Sequence, residues 1–480
     1  MPDGKAACLA GFGSGVPSVF RIAFSGDLLY HRPSKGEKRM YEGTAKIIQE
    51  NRDALRVVAS AARISTTEGS ALELLNRPAD ADKDLSLVSK VLASGHKSLM
   101  EHQTFSVAFD RVSVLAEQFM IEHRLASYIV KSRRYVDFSG AGYLVPDDLP
   151  DAAREKYISS TEVLFRLYED LAESGVPRED ARFVLPYSFS SHFYVTLNAR
   201  TLIALISEMV YGRGAAQPEI AALGAQLEAQ FDLLYPGVVA AERAHYARCA
   251  ARPLPTRFAR GGEAKGSAAL VAATPDPQKA LSRAIEFAGR FAPDDGDYAS
   301  ERNLMALVKD ARPRELEFLT AQFRVKDISL ACVTHFTRHR MLSLLVPDAA
   351  HALANGKYVV PETVRKDAAL LARYEEAFAR QAALAEELIA LGAPAHDMAY
   401  LALSGHVTDL LIEMNARELL HFIKLRTCNR AQWEIRRVAR EMLAALREYD
   451  EDIFWVYGPS CQVDGRCPEG KLSCGKPSKM

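Results

Sequence analysis

The sequence lacks any run of about 18 consecutive apolar residues, the length at which a segment begins to read as membrane-spanning. It also lacks a surplus of either charge: 60 Lys and Arg stand against 61 Asp and Glu, for a net charge of −1. No global positive field therefore marks a binder of nucleic acid polymers or of a membrane surface. Cysteine is sparse, with seven in 480 residues, which is no disulfide framework. The N-terminus, MPDGKAACLAGFGSG, carries one Lys and a Gly-broken apolar stretch, unlike a secretory signal. A reducing cytoplasm is the expected compartment. Missing too are a Walker phosphate loop, a GxGxxG after a strand, a GxSxG elbow and an HExxH pair. A flavin or dinucleotide must then be held by a non-Rossmann arrangement.

What is present is an average globular balance, 48% apolar and 25% charged, over a length that suits two or three domains. The two halves repeat each other. Glu122-His123-Arg124 recurs as Arg338-His339-Arg340, Asn198-Ala199-Arg200 as Asn415-Ala416-Arg417, and Ala216-Gln217-Pro218-Glu219-Ile220 as Ala431-Gln432-Trp433-Glu434-Ile435. The order is kept and the offsets agree within two residues, which points to tandem duplication. The expected organisation is an extension over 1–43, a first copy over 44–250, a Pro- and Gly-rich linker over 251–267, a second copy over 268–458 and a Cys-containing tail over 459–480. Apolar spacing predicts helices over 53–64, 85–93, 115–123 and 162–173, and alternation predicts a strand over 104–109.

Several residues carry chemistry on their own account. Ser132-Arg133-Arg134-Tyr135 sets a hydroxyl beside two guanidiniums, which suits a phosphate monoester, although a solvated basic turn reads equally well. On one continuous helix Asn415 and Arg426 would face the same way, in a polar stripe with His421 and Arg430; an exposed helix face is the commoner meaning of such a stripe. Ser65 and Ser98 read as caps or turns, and Asn198 and Asn415 as caps of the helices that follow them. Cys461, Cys467 and Cys474 are spaced C-x5-C-x6-C. They suit part of a zinc site with a fourth ligand from elsewhere, or ordinary thiols in a loose tail.

These motifs resemble a known family. Gly95-His96-Lys97-Ser98-Leu99-Met100-Glu101-His102 before a Phe-rich strand resembles the GHxSxxEH start of flavin-dependent thymidylate synthases. Their RHR, seven residues, then Ser-x-Arg is matched by Glu122-His123-Arg124 and Ser132-Arg133-Arg134 with one departure. Ala62-Arg63-Ile64-Ser65, the segment 173–186 and Asn415–Arg436 match further family segments. The resemblance implies an α/β (α+β) unit with a central sheet and flanking helices, twice over. It implies FAD, dUMP and methylenetetrahydrofolate, with hydride from NADPH, and reductive methylation of dUMP to dTMP in sites between subunits. By the same resemblance Arg426 polarises the uracil, while Ser132, Arg133, Arg134, Arg182 and Arg426 hold the nucleotide. FAD falls to Ser65, Ser98, His123, Arg124, Asn198, Arg200, Arg338, His339, Arg340, Asn415 and Arg417.

Neither copy alone matches the full pattern. The first has Glu122 and Met209 where the family has arginines; the second has Asp348, Ala350 and Ala399 where the first keeps Ser132, Arg134 and Arg182. Val130 and Val346 stand where the family has a loop Glu. The losses are complementary, so one composite site per chain is expected, and a homodimer imitating the family tetramer. A non-methylating flavin- or nucleotide-binding relative, or an enzyme acting on another pyrimidine nucleotide, is the rival reading.

Overall fold

The computed structural model describes residues 43–51, 53–249 and 253–476. The expected N-terminal extension lies outside them apart from Gly43. Among the described residues, β1 (Thr44–Glu50), β2 (Thr104–Ser113), β3 (Ala126–Val130) and β4 (Ser190–Asn198) form one antiparallel sheet in the order β1-β2-β4-β3. A second sheet repeats that order with β5 (Ser267–Ala273), β6 (Thr320–Ser329), β7 (Ser343–Leu345) and β8 (Val407–Asn415), as β5-β6-β8-β7. The alternation of the strand segment explains the facing: Phe105, Val107 and Phe109 are buried while Thr104 and Asp110 are exposed. Even the irregularities repeat. Arg111 and Asp327 take left-handed backbone, φ 55 and 50, at matching breaks of register in β2 and β6.

The copies have separate sheet cores and share a third core between them. The helices Asp151–Glu173 and Ala368–Ala390 pack together in that shared core, with Tyr157, Tyr168, Tyr374 and Phe378 inside it. Beside them Tyr187 N–H donates to Ala402 O at 2.7 Å and Ser404 N–H to Leu185 O at 2.9 Å. Each bond joins residues that correspond to those of the other, as a local two-fold contact requires.

The repeated AQxEI segment has a structural task. Glu434 accepts from Ser329 N–H at 2.8 Å and from its hydroxyl at 2.5 Å, and Glu219 accepts from Ser113 at 2.7 and 2.5 Å. Each serine caps the helix that follows its strand. Glu434 is wholly buried, which raises its carboxyl above the usual range despite these bonds. Glu434→Ala leaves two buried donors unpaired and is expected to cost about 2–3 kcal/mol. Glu434→Gln keeps an acceptor and should cost less; equal losses of Tm would contradict the capping role.

The expected elements are present with shifted ends. The helix expected from Leu85 starts at Ala81, where the Asp80 carboxylate accepts from Lys83 N–H, and the one expected from Glu162 starts at Asp151, just after Pro150. The strand runs on to Ser113, and the helix expected over 115–123 is Val114–Ile121. The C-terminal segment is not a loose tail. Val463 is fully buried and Asp464 pairs with Lys424 at 2.7 Å, so the described part of it folds onto the second copy. The described linker, from 253, has no strand or helix of its own, yet Phe258 is buried and Ala259 N–H donates to Ala354 O at 2.8 Å. No helix among the described residues is long and apolar enough to cross a membrane.

Candidate active site

The chain leaves β3 and turns at once. Val136 N–H returns to Ser132 O at 3.0 Å and Arg134 N–H to the Ser132 hydroxyl at 3.3 Å, which fixes the loop over 131–135. Arg133 is buried against Glu117, whose other oxygen takes the Ser191 hydroxyl. Arg134 donates to Glu179 at 2.6 Å, and Arg182, 4% exposed, donates to Glu179 O at 3.0 Å. All of this belongs to the first copy. Across the copy interface stand the turn Arg338-His339-Arg340, after the helix Leu330–Phe336, and the C-terminal end of the helix Ala416–Arg426. Arg340 reaches the Ser127 hydroxyl at 2.5 Å, and Arg124 reaches Arg340 O at 3.4 Å.

Between them lies one cavity of about 680 Å³, lined by Ser132, Arg133, Arg134 and Arg182 of the first copy and Arg338, Arg340 and Arg426 of the second. Residues of both copies thus line the same cavity. Its walls hold nine Lys and Arg against two Glu. Burial lowers Arg182 to about 10, helped by the charge of Arg133, and lowers Arg426 to about 10, helped by that of Arg338. Such cations lie beside one another without enough carboxylate, which is the electrostatic description of an anion site. Buried polar atoms point the same way. Arg182 Nη2, Arg133 Nε, Gln432 Nε2 and both ring nitrogens of His335 have no partner among the described residues, and all four residues line this cavity.

Arg426 is aimed by its neighbours. Its Nε donates to His339 Nε2 at 3.1 Å, and His339 Nδ1 donates to Glu418 at 2.8 Å. That chain requires a neutral imidazole. Burial lowers the His339 pKa; the Glu418 bond opposes this and the Arg426 charge adds to it. Acidification should therefore protonate His339 only below the ordinary histidine range, breaking the Arg426 bond. Because the unfolded chain takes up that proton first, the group's stability contribution is present above about pH 6.5 and is lost as pH falls below it. The acid limb of the rate profile, which reports the folded state, should lie below the ordinary histidine range, and His339→Gln should flatten it; an unchanged limb would contradict the assignment.

The corresponding location on the other side of the two-fold is divided and largely neutralised. A cavity of about 60 Å³ lies among Glu122, Arg213, Val346, Asp348 and Ala349, and another of about 380 Å³ among Glu122, His123, Arg124, Glu208 and Arg213. Arg213 is neutralised there by Glu122 at 2.8 Å and Glu208 at 3.0 Å, and Glu208 takes His123 at 2.8 Å. Burial would raise the Glu208 carboxyl, but the His123 bond and the His123 and Arg213 charges bring it down to about 2. Met209, the counterpart of Arg426, is fully buried in the first copy's sheet core.

The remaining expected residues are dispersed. Arg124 lines the large cavity and His339 stands behind it, whereas His123 belongs to the Glu208 network on the other side. Asn198 and Asn415 accept from Thr201 N–H and Glu418 N–H, both at 2.9 Å, as helix caps. The helix Ala416–Arg426 ends before Thr427, so Arg430 follows it, and Asn415 does not share the cavity with Arg426. Arg200 pairs with Glu101 at 2.6 Å, and Arg417 with Glu317 at 2.5 Å, the same ion pair in each copy. Ser65 ends the helix Ala54–Ile64 and Ser98 lies in the short helix Lys97–His102; both are exposed and outside the cavity. Sequence reasoning missed His335, Gln432 and Glu117. His335 had a signal only in its place three residues before the Arg338-His339-Arg340 motif.

The family model "Thymidylate synthase complementing protein" matches residues 46–237 and again 269–450. The flavin-dependent thymidylate synthase of Geobacter sulfurreducens is 34% identical over 185 residues, 38% of this chain and 78% of the relative. That of Clostridium tetani is 28% identical over 234 residues, 44% of this chain and 94% of the relative. Among solved structures, the UMP/dUMP methylase PolB from Streptomyces cacaoi aligns with 25% identity and a TM-score of 0.37, covering 44% of this chain and 98% of that one.

Proposed function

From the premise that the chain belongs to the thymidylate synthase complementing protein family, twice matched along its length, we propose that it is a flavin-dependent thymidylate synthase with one composite active site per chain. It acts as an FAD-dependent methyltransferase that converts dUMP to dTMP. The carbon comes from methylenetetrahydrofolate and the hydride from NADPH. The observation that carries this reading is the joining of the first copy's loop to the second copy's Arg338 and Arg426 in one cationic cavity.

The residues divide the work by position. Ser132, Arg133, Arg134 and Arg182 take the nucleotide phosphate, a dianion suited to the guanidinium fork, with Arg133 and Arg134 held in place by Glu117 and Glu179. Arg426 presents its guanidinium to the uracil and stabilises the negative charge that develops on the ring during attack at its carbon. His339, held by Glu418, fixes the direction of Arg426. His335, kept neutral by burial and by the charges of Arg426 and Arg182, offers ring nitrogens to a polar edge of a ligand. FAD, when bound, supplies the reducing equivalent that turns the transferred methylene into a methyl group. Arg124, Arg338 and Arg340 are the cavity residues that would hold it.

Ser65, Ser98, Asn198, Arg200, Asn415 and Arg417 lie outside the cavity and would serve FAD across a contact with a second chain. A homodimer therefore completes the proposal. Tritium release from dUMP labelled at carbon 5, with FAD, NADPH and methylenetetrahydrofolate supplied, tests the activity. Release that depends on all three supports it; no release with every component present leaves a nucleotide-binding protein that does not methylate.

A further inference from the structure

The segment after Tyr457 folds back against the end of the helix Ala416–Arg426 and encloses a second cavity of about 350 Å³. Four cysteines line it: Cys461, Cys467 and Cys474 from that segment, and Cys428 from the loop just after Arg426. The chain has seven cysteines in all. Cys249 and Cys332 lie elsewhere, the latter inside the second copy's sheet core, and Cys8 is outside the described residues. We propose that Cys428, Cys461, Cys467 and Cys474 ligate a four-iron, four-sulfide cluster.

Ligand number and spacing select the cluster. Four thiolates complete the ligand set of such a centre. No three of these sulfurs lie within 4.8 Å of one another. A single tetrahedral zinc, with Zn–S bonds of about 2.3 Å, would draw its sulfurs to about 3.8 Å apart. A cubane stands between its thiolates and keeps them roughly 6 Å apart. The thiols are thus not gathered at the spacing of one tetrahedral ion, and a cavity of about 350 Å³ leaves room for a cluster among them.

The surroundings suit an anionic centre. The cavity wall carries Lys424, Arg430, Arg440, Arg447 and Lys476 against Glu469 alone. Arg430 N–H points at Cys428 Sγ at 3.5 Å and Asn429 Nδ2 at Cys474 Sγ at 3.7 Å, N–H···S contacts of the kind that tune cluster thiolates. Gly465 and Gly475, both at φ 68, let the segment reverse around the cavity where another residue would be strained. Cys428, Arg430 and Glu469 line this cavity and the large one alike. The cluster would thus pin the loop between Arg426 and Gln432 to the C-terminal segment, beside the nucleotide site.

The test is metal analysis of the full chain, produced with added iron and purified without oxygen. About four iron and about four acid-labile sulfides per chain are expected, with an electron paramagnetic signal after dithionite reduction that differs from a flavin radical. Cys461→Ser and Cys474→Ser should each lose at least three-quarters of the iron (roughly one iron or less left). Cys249→Ser should keep all of it. One zinc per chain without sulfide, or no bound metal in the wild-type chain, would overturn the proposal. The wild-type stoichiometry decides the matter even if a cysteine variant fails to fold.

Discussion

Arg426→Ala is expected to lower kcat for dTMP formation by about 100- to 1000-fold, the usual loss when one aimed donor to a developing anion is removed. The side chain ends the helix Ala416–Arg426, is braced by His339, and faces the cavity among other cations. Its main contribution comes when the ring acquires charge, so KM for dUMP should move much less than kcat. FAD should stay bound, because the cavity residues assigned to it are Arg124, Arg338 and Arg340. Arg426→Lys keeps a charge but loses the planar fork and the bond to His339, and should recover only a small part of the rate. If Arg426→Ala retained near wild-type turnover, the second copy would not supply the electrophilic group.

Arg182→Met is expected to raise KM for dUMP by about 30- to 150-fold, from a lost charge-assisted bond of about 2–3 kcal/mol. Here kcat should change little. The same substitution should leave thermal stability unchanged or slightly higher. Arg182 is buried, its Nη2 has no partner among the described residues, and the charge of Arg133 adds to its burial cost. A buried cation that is poorly neutralised in the free protein is a stability burden that its ligand relieves. An arginine with a purely structural task would behave oppositely, losing Tm without loss of affinity.

Much of this site was legible in the sequence because duplication leaves its own record. Residues at a constant offset could be compared within one chain, and the pairs Arg182 and Ala399, or Met209 and Arg426, showed which copy had lost what. What spacing could not show was apposition. Arg134 and Arg430 O are 3.5 Å apart across 296 residues, and that closeness depends on how the helices Asp151–Glu173 and Ala368–Ala390 pack. Long-range ion pairs were hidden for the same reason: Arg200 and Arg417 each find a carboxylate on the segment before a strand, Glu101 and Glu317. The cap roles of Asn198 and Asn415 were readable, since they rest on the residue and the helix that follows. Cys428 was not grouped with the C-terminal cysteines because it sits in a segment whose apolar period speaks only of a helix end.

The difference between the two locations follows from small substitutions. Ala349 and Ala350 replace Arg133 and Arg134 and are buried, while Glu122 neutralises Arg213. Cavities of about 60 and 380 Å³ stand there, lined by Arg124 and the neutralised Arg213, in place of nine Lys and Arg around about 680 Å³. The most direct measurement of the central claim is therefore a calorimetric titration of the FAD-loaded full chain with dUMP, without folate or reductant. One dUMP bound per chain is the expected result; two equivalent dUMP per chain would contradict the single composite site.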